Sequence, residues 1–185
     1  MAHLKQATWP VHQRLEKRLA VKDRFADLDL YRAHLARLLA FHEAAEAAWA
    51  PWLVPVLEDF AVRRKAQLLR HDLAALGGQP GREPPALPAV HSSAAALGGF
   101  YVLEGATLGG QHLLPLVARH LGLSRAHGAS YLASYGADVA PMWQRFGAAV
   151  QRHCHGPAAA QAVATAQATF AMLEDCLCGD TRAHP

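Results

Sequence analysis

The stretch YVLEGATLGGQ, residues 101–111, lies in a segment that otherwise reads as helix, yet it places glycine at 105, 109 and 110, with Gly98 and Gly99 just upstream. Each glycine in a helix interior costs roughly 1 kcal/mol relative to alanine. The chain around it is rich in alanine and leucine and poor in β-branched residues, so helix is the default and these glycines are the exception. Gly105, Gly109 and Gly110 stand at i, i+4 and i+5 and share one helix face. A face without Cβ atoms admits a close neighbour. A second helix packed through G-x-x-x-G contacts, a helix end at Gly109-Gly110, or a flat ligand against the backbone would each account for it.

On either side of this stretch the helical pattern continues from about Ser92 to Leu121. Upstream, residues 3–19 carry Leu4, Val11, Leu15 and Leu19 on one face. Pro10 interrupts that segment and predicts either a kink or a late start capped by Thr8. Asp27 or Asp29 caps a second helix running to about Trp52, and Pro55 opens a third that ends at Gly77-Gly78. GGQPGREPPALP, residues 77–88, is too rich in glycine and proline for regular structure and reads as a long loop. Ser124 and Asp138 are candidate caps for two further helices, and Pro157 opens the last, from about Ala158 to Leu177. No strand-like alternation and no repeat emerge. The expectation is an all-α bundle of seven or eight helices, with residues 1–185 forming a single domain.

At 52% hydrophobic residues the chain can build a sizeable core, yet no apolar run reaches the roughly 18–20 residues that span a bilayer. The N-terminus lacks the apolar centre of a secretory signal, which points to a cytoplasmic protein with no membrane partner. A net charge of +3 is too mild to predict nucleic-acid binding, but it leaves room for a basic patch facing an anionic ligand or an acidic partner protein. Cys154, Cys176 and Cys178 form no zinc spacing, no C-x-x-C and no disulfide framework, and read as free thiols in a reducing compartment.

Twelve histidines prompt a search for a ligand. In LKQATWPVHQRLE, residues 4–16, His12 has Glu16 at i+4 and Lys5 at i−7, so on a helix all three lie near one face. A carboxylate on one imidazole nitrogen fixes the tautomer and leaves the other nitrogen free for a metal. One axial histidine beside a cation suits haem, which presents an iron and two propionates. A solvated surface pair is the alternative for the same spacing. Taken with the glycines, the two segments suit a planar ligand held from one side by His12 and covered from the other by bare backbone, with N–H groups freed at a glycine kink to meet a bound gas.

LKQATWPVHQRLE resembles the proximal helix of haem oxygenases, and GATLGGQ, residues 105–111, resembles their distal helix. YVLEGATLGG is most similar to the bacterial branch that includes bacteriophytochrome-associated enzymes. The resemblance covers most of the chain and implies a haem-oxygenase-like bundle. It implies that His12 is the axial iron ligand, Glu16 its partner and Lys5 a propionate ligand, with Gly105, Gly109 and Gly110 lining the distal face. It implies that haem serves as cofactor and substrate and is opened by O2 to biliverdin with release of CO and ferrous iron. Electrons would come from a ferredoxin or reductase, and a phytochrome is a candidate biliverdin acceptor. SYGADVAPMWQRF, residues 134–146, resembles a later helix with more propionate contacts, for which Arg145 and Tyr101 are candidates. Trp143, Phe146 and Phe170 read as core.

One position departs from the family pattern: many members carry aspartate after the first distal glycine, and Ala106 stands here. Thr107, Gln111 and Glu104 are the nearby polar candidates for its role. Ala106 also favours a rival, a protein that binds haem for storage or sensing without cleaving it. A di-iron carboxylate oxidase would offer E-x-x-H pairs, and the sequence has none, although His42, Glu43 and Glu46 cluster. A thiol hydrolase would need a cysteine in a pocket, and a purely structural helical protein is the plainest alternative.

Overall fold

The computed structural model describes residues 1–19, 25, 27–81 and 86–179, and among them no strand forms. Helix α1, Ala2–Leu19, runs through Pro10 without a late start. Proline leaves the Gln6 carbonyl without its i+4 donor, and Gln6 is exposed, so water can satisfy it. Thr8 is not a cap; its hydroxyl donates to the Leu4 carbonyl at 2.7 Å. Helix α2, Leu28–Leu53, begins where Asp27 accepts the Leu30 N–H at 2.8 Å.

The single third helix predicted from Pro55 is instead two: α3, Phe60–Arg63, and α4, Ala66–Ala75, separated by extended Arg64. A buried carboxylate explains the division. Glu46 on α2 accepts the N–H groups of Lys65 at 2.6 Å and Ala66 at 3.0 Å, so α4 starts on an anion. Helix α4 ends at Gly77, whose φ of 68° lets the Gly78 N–H reach back to the Leu73 carbonyl at 2.8 Å. The predicted loop follows, with residues 82–85 of it outside the described residues.

Helix α5, Ser93–Leu121, is capped by Ser92, which accepts the Ala95 N–H at 3.2 Å. It continues unbroken through Gly109-Gly110, so the expected kink with freed N–H groups does not occur. Ser124 closes a tight turn with His127 rather than capping a helix. The short α6, Ser130–Ala133, starts instead on the buried Asp72 carboxylate, which accepts the N–H groups of Ser130 and Tyr131, each at 2.8 Å. A 3-10 turn, Gly136–Asp138, leads into α7, Val139–His153; Asp138 sits at its start without a side-chain cap bond. Pro157 opens α8, Pro157–Cys178, as predicted.

Helix α5 packs along α8 and also meets α2, α6 and α7, while α1 packs on α8 and has little contact with α5. Two arginines of α1 hold it to α8: Arg14 and Arg18 donate to the buried Glu174 at 2.7 and 2.8 Å. Tyr31, Phe41, Trp49, Phe100 and Phe146 fill the centre. Three of the glycines serve this packing. A Cβ at Gly98 would lie 2.1 Å from the Ala162 carbonyl oxygen of α8, one at Gly99 would lie 2.8 Å from the Trp49 ring, and one at Gly110 would lie 2.7 Å from the Leu132 carbonyl oxygen of α6. No described helix is long and apolar enough to cross a membrane.

Candidate active site

Leu4, Thr8 and Leu15 form the buried face of α1, and His12 stands at its margin with its side chain 40% exposed. Nδ1 is buried without a hydrogen-bond partner, 3.8 Å from a Glu16 carboxylate oxygen. The hydrogen bond predicted between the two is therefore not closed, although the ion pair is in reach. The exposed part of the ring carries Nε2, free to bind a ligand. Two rings hold the imidazole in place: Trp9 stacks on it with centroids 5.8 Å apart and planes 19° from parallel, and Phe170 of α8 meets it edge-on at 5.6 Å and 87°. Phe170 is thus core, as its sequence context suggested, and also a neighbour of His12. Lys5 is exposed and lines a shallow depression with Ala2, Gln6 and Trp9.

On α5, the buried Tyr101 faces Thr8 of α1. Burial pushes the Tyr101 phenol above its usual pKa, and the Thr8 hydrogen bond partly offsets this. Trp143 packs on the Tyr101 ring at 5.6 Å. One and two turns further along α5, Gly105 and Gly109 face open space: a Cβ on either would meet nothing within 4 Å. His12 likewise lies one turn beyond Thr8 on α1. The predicted glycine trio therefore splits, since Gly110 is glycine because α6 presses on it.

Behind the glycine face lies a buried ionic network that the sequence did not announce. Glu104, 1% exposed, accepts from Arg63 at 2.5 Å and from the Tyr135 hydroxyl at 2.6 Å. Arg63, also 1% exposed, grips Asp59 at 2.6 and 2.8 Å and the Met142 carbonyl at 3.1 Å. Burial pushes the Glu104 carboxyl up, opposed by Arg63, Tyr135 and Lys65. The Lys65 ammonium sits 3.2 Å from the Tyr135 ring centroid, and burial pulls it down to about 8. Thr107 donates to the Glu104 carbonyl at 2.6 Å and Gln111 to the Ala133 carbonyl at 3.3 Å. All three polar neighbours of Ala106 thus have partners within the protein, while Ala106 itself is exposed.

Arg145 is drawn into the same network, 3.4 Å from Asp59, rather than standing free for a propionate. The His42, Glu43 and Glu46 cluster does not form one site. His42 lies 3.3 Å from Glu46 and 3.2 Å from the Tyr131 hydroxyl, while Glu43 pairs with Arg70 at 2.7 Å. Burial would raise the Glu46 carboxyl, but His42 and the two N–H groups at the start of α4 hold it below the usual range. Among the described residues no group of three or more His, Cys, Asp or Glu side chains is arranged to hold a metal, and the cysteines are free.

A solvent-facing imidazole nitrogen paired with a buried, unbonded one suits an iron ligand, and two helical glycines over open space suit a flat group. The "Heme oxygenase" family profile matches residues 1–177. A heme oxygenase of Xanthomonas campestris pv. campestris is 35% identical over 159 residues, 84% of this chain and 93% of that protein. The fold resembles the NO- and CO-bound heme oxygenase of Neisseria meningitidis, with a TM-score of 0.85 at 24% identity over 95% of this chain and 88% of that one. It also resembles the heme oxygenase of Leptospira interrogans, with a TM-score of 0.75 at 19% identity over 95% of this chain and 96% of that one. The two structures share the fold; the profile and the Xanthomonas relative carry the kinship in sequence. The chain belongs to the haem oxygenase family of enzymes.

Proposed function

We propose that the protein cleaves haem to biliverdin with release of CO and ferrous iron, using O2 and external electrons, with haem held between α1 and α5. The observation that carries this is the free Nε2 of His12 on one helix together with the uncovered backbone at Gly105 and Gly109 on the other. Bound haem would supply both the iron that activates dioxygen and the ring that is opened. His12 would hold the iron through Nε2, leaving Nδ1 as the protonated nitrogen. Glu16, 3.8 Å from Nδ1, would support the ligand as a nearby negative charge without a closed hydrogen bond. A neutral imidazole donates less charge than a thiolate, which suits ring oxidation over O–O cleavage at iron.

Lys5 extends a cation toward a propionate from the same helix face. Tyr101 is buried and Arg145 leans toward Asp59 at 3.4 Å, whereas Lys5 is exposed, so the propionate role falls first to Lys5. Gly105 and Gly109 would let a flat group approach the α5 backbone closely. Ala106 cannot supply a proton, and Glu104, Thr107 and Gln111 are engaged elsewhere, so water reaching the exposed Ala106 carries that role. A ferredoxin or reductase as donor, a phytochrome as biliverdin acceptor, the bacteriophytochrome-associated branch and a cytoplasmic site belong to the same proposal.

Ala106 specifically favours a second reading, haem binding without turnover. Aerobic addition of ferredoxin, its reductase and NADPH to the hemin complex separates the two. Decay of the Soret band with growth of biliverdin absorbance and release of CO supports cleavage; an intact Soret band with no CO supports storage or sensing.

A further inference from the structure

Resting on the haem-binding reading, we propose that Trp9 is a positioning residue for His12, fixing the direction of the imidazole plane about the bond from Nε2 to a bound iron. Trp9 is 48% exposed, unusual for the largest apolar side chain beside a functional histidine. It precedes His12 by three residues, which on a helix puts the two side chains on neighbouring turns of one face.

A ligating imidazole usually has its orientation set by a hydrogen bond at the nitrogen that does not bind metal. Here Nδ1 has none. What remains is aromatic: the Trp9 ring 5.8 Å away and 19° from parallel, and the Phe170 ring 5.6 Å away at 87°. An imidazole bound through Nε2 contains the iron–nitrogen bond in its own plane, so rotation about that bond is the one torsion left free. A ring stacked on its face opposes rotation toward that side, and the perpendicular Phe170 contact adds a second restraint. Trp9, nearly parallel to the imidazole, would also stand upright against the same face of the porphyrin and extend the apolar wall over the depression beside Lys5.

The direction of the axial imidazole plane governs how unpaired spin in low-spin ferric haem is shared among the four pyrroles, and the four ring-methyl proton shifts report it. A residue that merely stabilised α1 would leave that pattern alone. The test uses the full chain as its ferric hemin–cyanide complex, in wild type, Trp9→Phe and Trp9→Leu. Leucine keeps apolar bulk without a plane, and Trp9 is exposed enough for either variant to fold. The expected result is a methyl-shift order altered in Trp9→Leu and restored toward wild type in Trp9→Phe, with the Soret maximum unchanged in both. Hemin transfer to apomyoglobin should speed up by roughly 2- to 10-fold in Trp9→Leu, the range of one lost aromatic pair. Identical methyl shifts in wild type and Trp9→Leu would overturn the role of Trp9 alone. A wild type that forms no Soret complex would overturn the haem-binding reading, and Trp9's role with it.

Discussion

Replacing Gly105 or Gly109 by alanine should make the haem-free protein more stable and its grip on haem weaker. Both glycines lie inside the unbroken α5, where alanine is favoured by about 0.8–1.0 kcal/mol. The added methyl meets nothing within 4 Å at either position, so no clash subtracts from that gain. The double variant should therefore gain roughly 2 kcal/mol, because two outward methyls one turn apart share no partner. For a chain of this size that is a rise in Tm of about 2–4 °C per kcal/mol. The same exchange at Gly98 or Gly110 should do the reverse. There the new Cβ falls 2.1 Å from the Ala162 carbonyl oxygen or 2.7 Å from that of Leu132, and backbone gives way at a cost of about 1–3 kcal/mol. Thermal unfolding of the four single variants without haem, followed by hemin titration of the stable ones, checks both halves. Hemin affinity should drop at least about tenfold in Gly105→Ala and Gly109→Ala, since a methyl would stand where the ligand meets backbone. A loss of stability at Gly105 or Gly109, or full hemin affinity in the double variant, would refute the idea that this face is kept bare for a ligand.

Arg63→Met should destabilise the fold by about 3–5 kcal/mol, because it strands the buried Glu104 and frees Asp59; adding Glu104→Gln should recover part of the loss, as urea unfolding of the single and double variants will show. Lys65 gives a pH signature. Its folded value of about 8 lies below the unfolded value of 10.5, so between those limits the unfolded chain holds more protons and stability rises with pH. Lys65→Met should abolish that rise and be the more stable protein below pH 8 by up to about 3 kcal/mol, read as the difference between the two urea-stability profiles.

Much of the fold was legible because local chemistry dictated it. Asp27, Ser92 and Pro157 start helices where they were expected, since each acts on its own neighbours in sequence. Two of the misplaced helix starts share one cause. Helices α4 and α6 begin on the carboxylates of Glu46 and Asp72, which reach them from other helices, and no local pattern encodes a distant anion. The glycines were read as one set because their spacing permits it, yet contact with α6 sets Gly110 apart from Gly105 and Gly109. At the candidate site, helix periodicity places His12, Glu16 and Lys5 together on α1, and their roles toward haem are the proposal made above. The stacking of Trp9 on His12, three residues away, has a signal in the i, i+3 spacing of the two rings. The Glu104, Arg63 and Tyr135 network joins residues 41 and 31 positions apart, and only packing reveals it.

The question that matters most is whether His12 holds the iron. Hemin titration of wild type and His12→Ala, read by the Soret band and by resonance Raman in the iron–histidine region, addresses it, with free imidazole added back to the variant. Wild type should bind one hemin with a histidine signature, the variant should lose that signature, and imidazole should restore it. An unchanged spectrum and affinity in His12→Ala would show that iron is held elsewhere and that α1 and α5 do not enclose it as described.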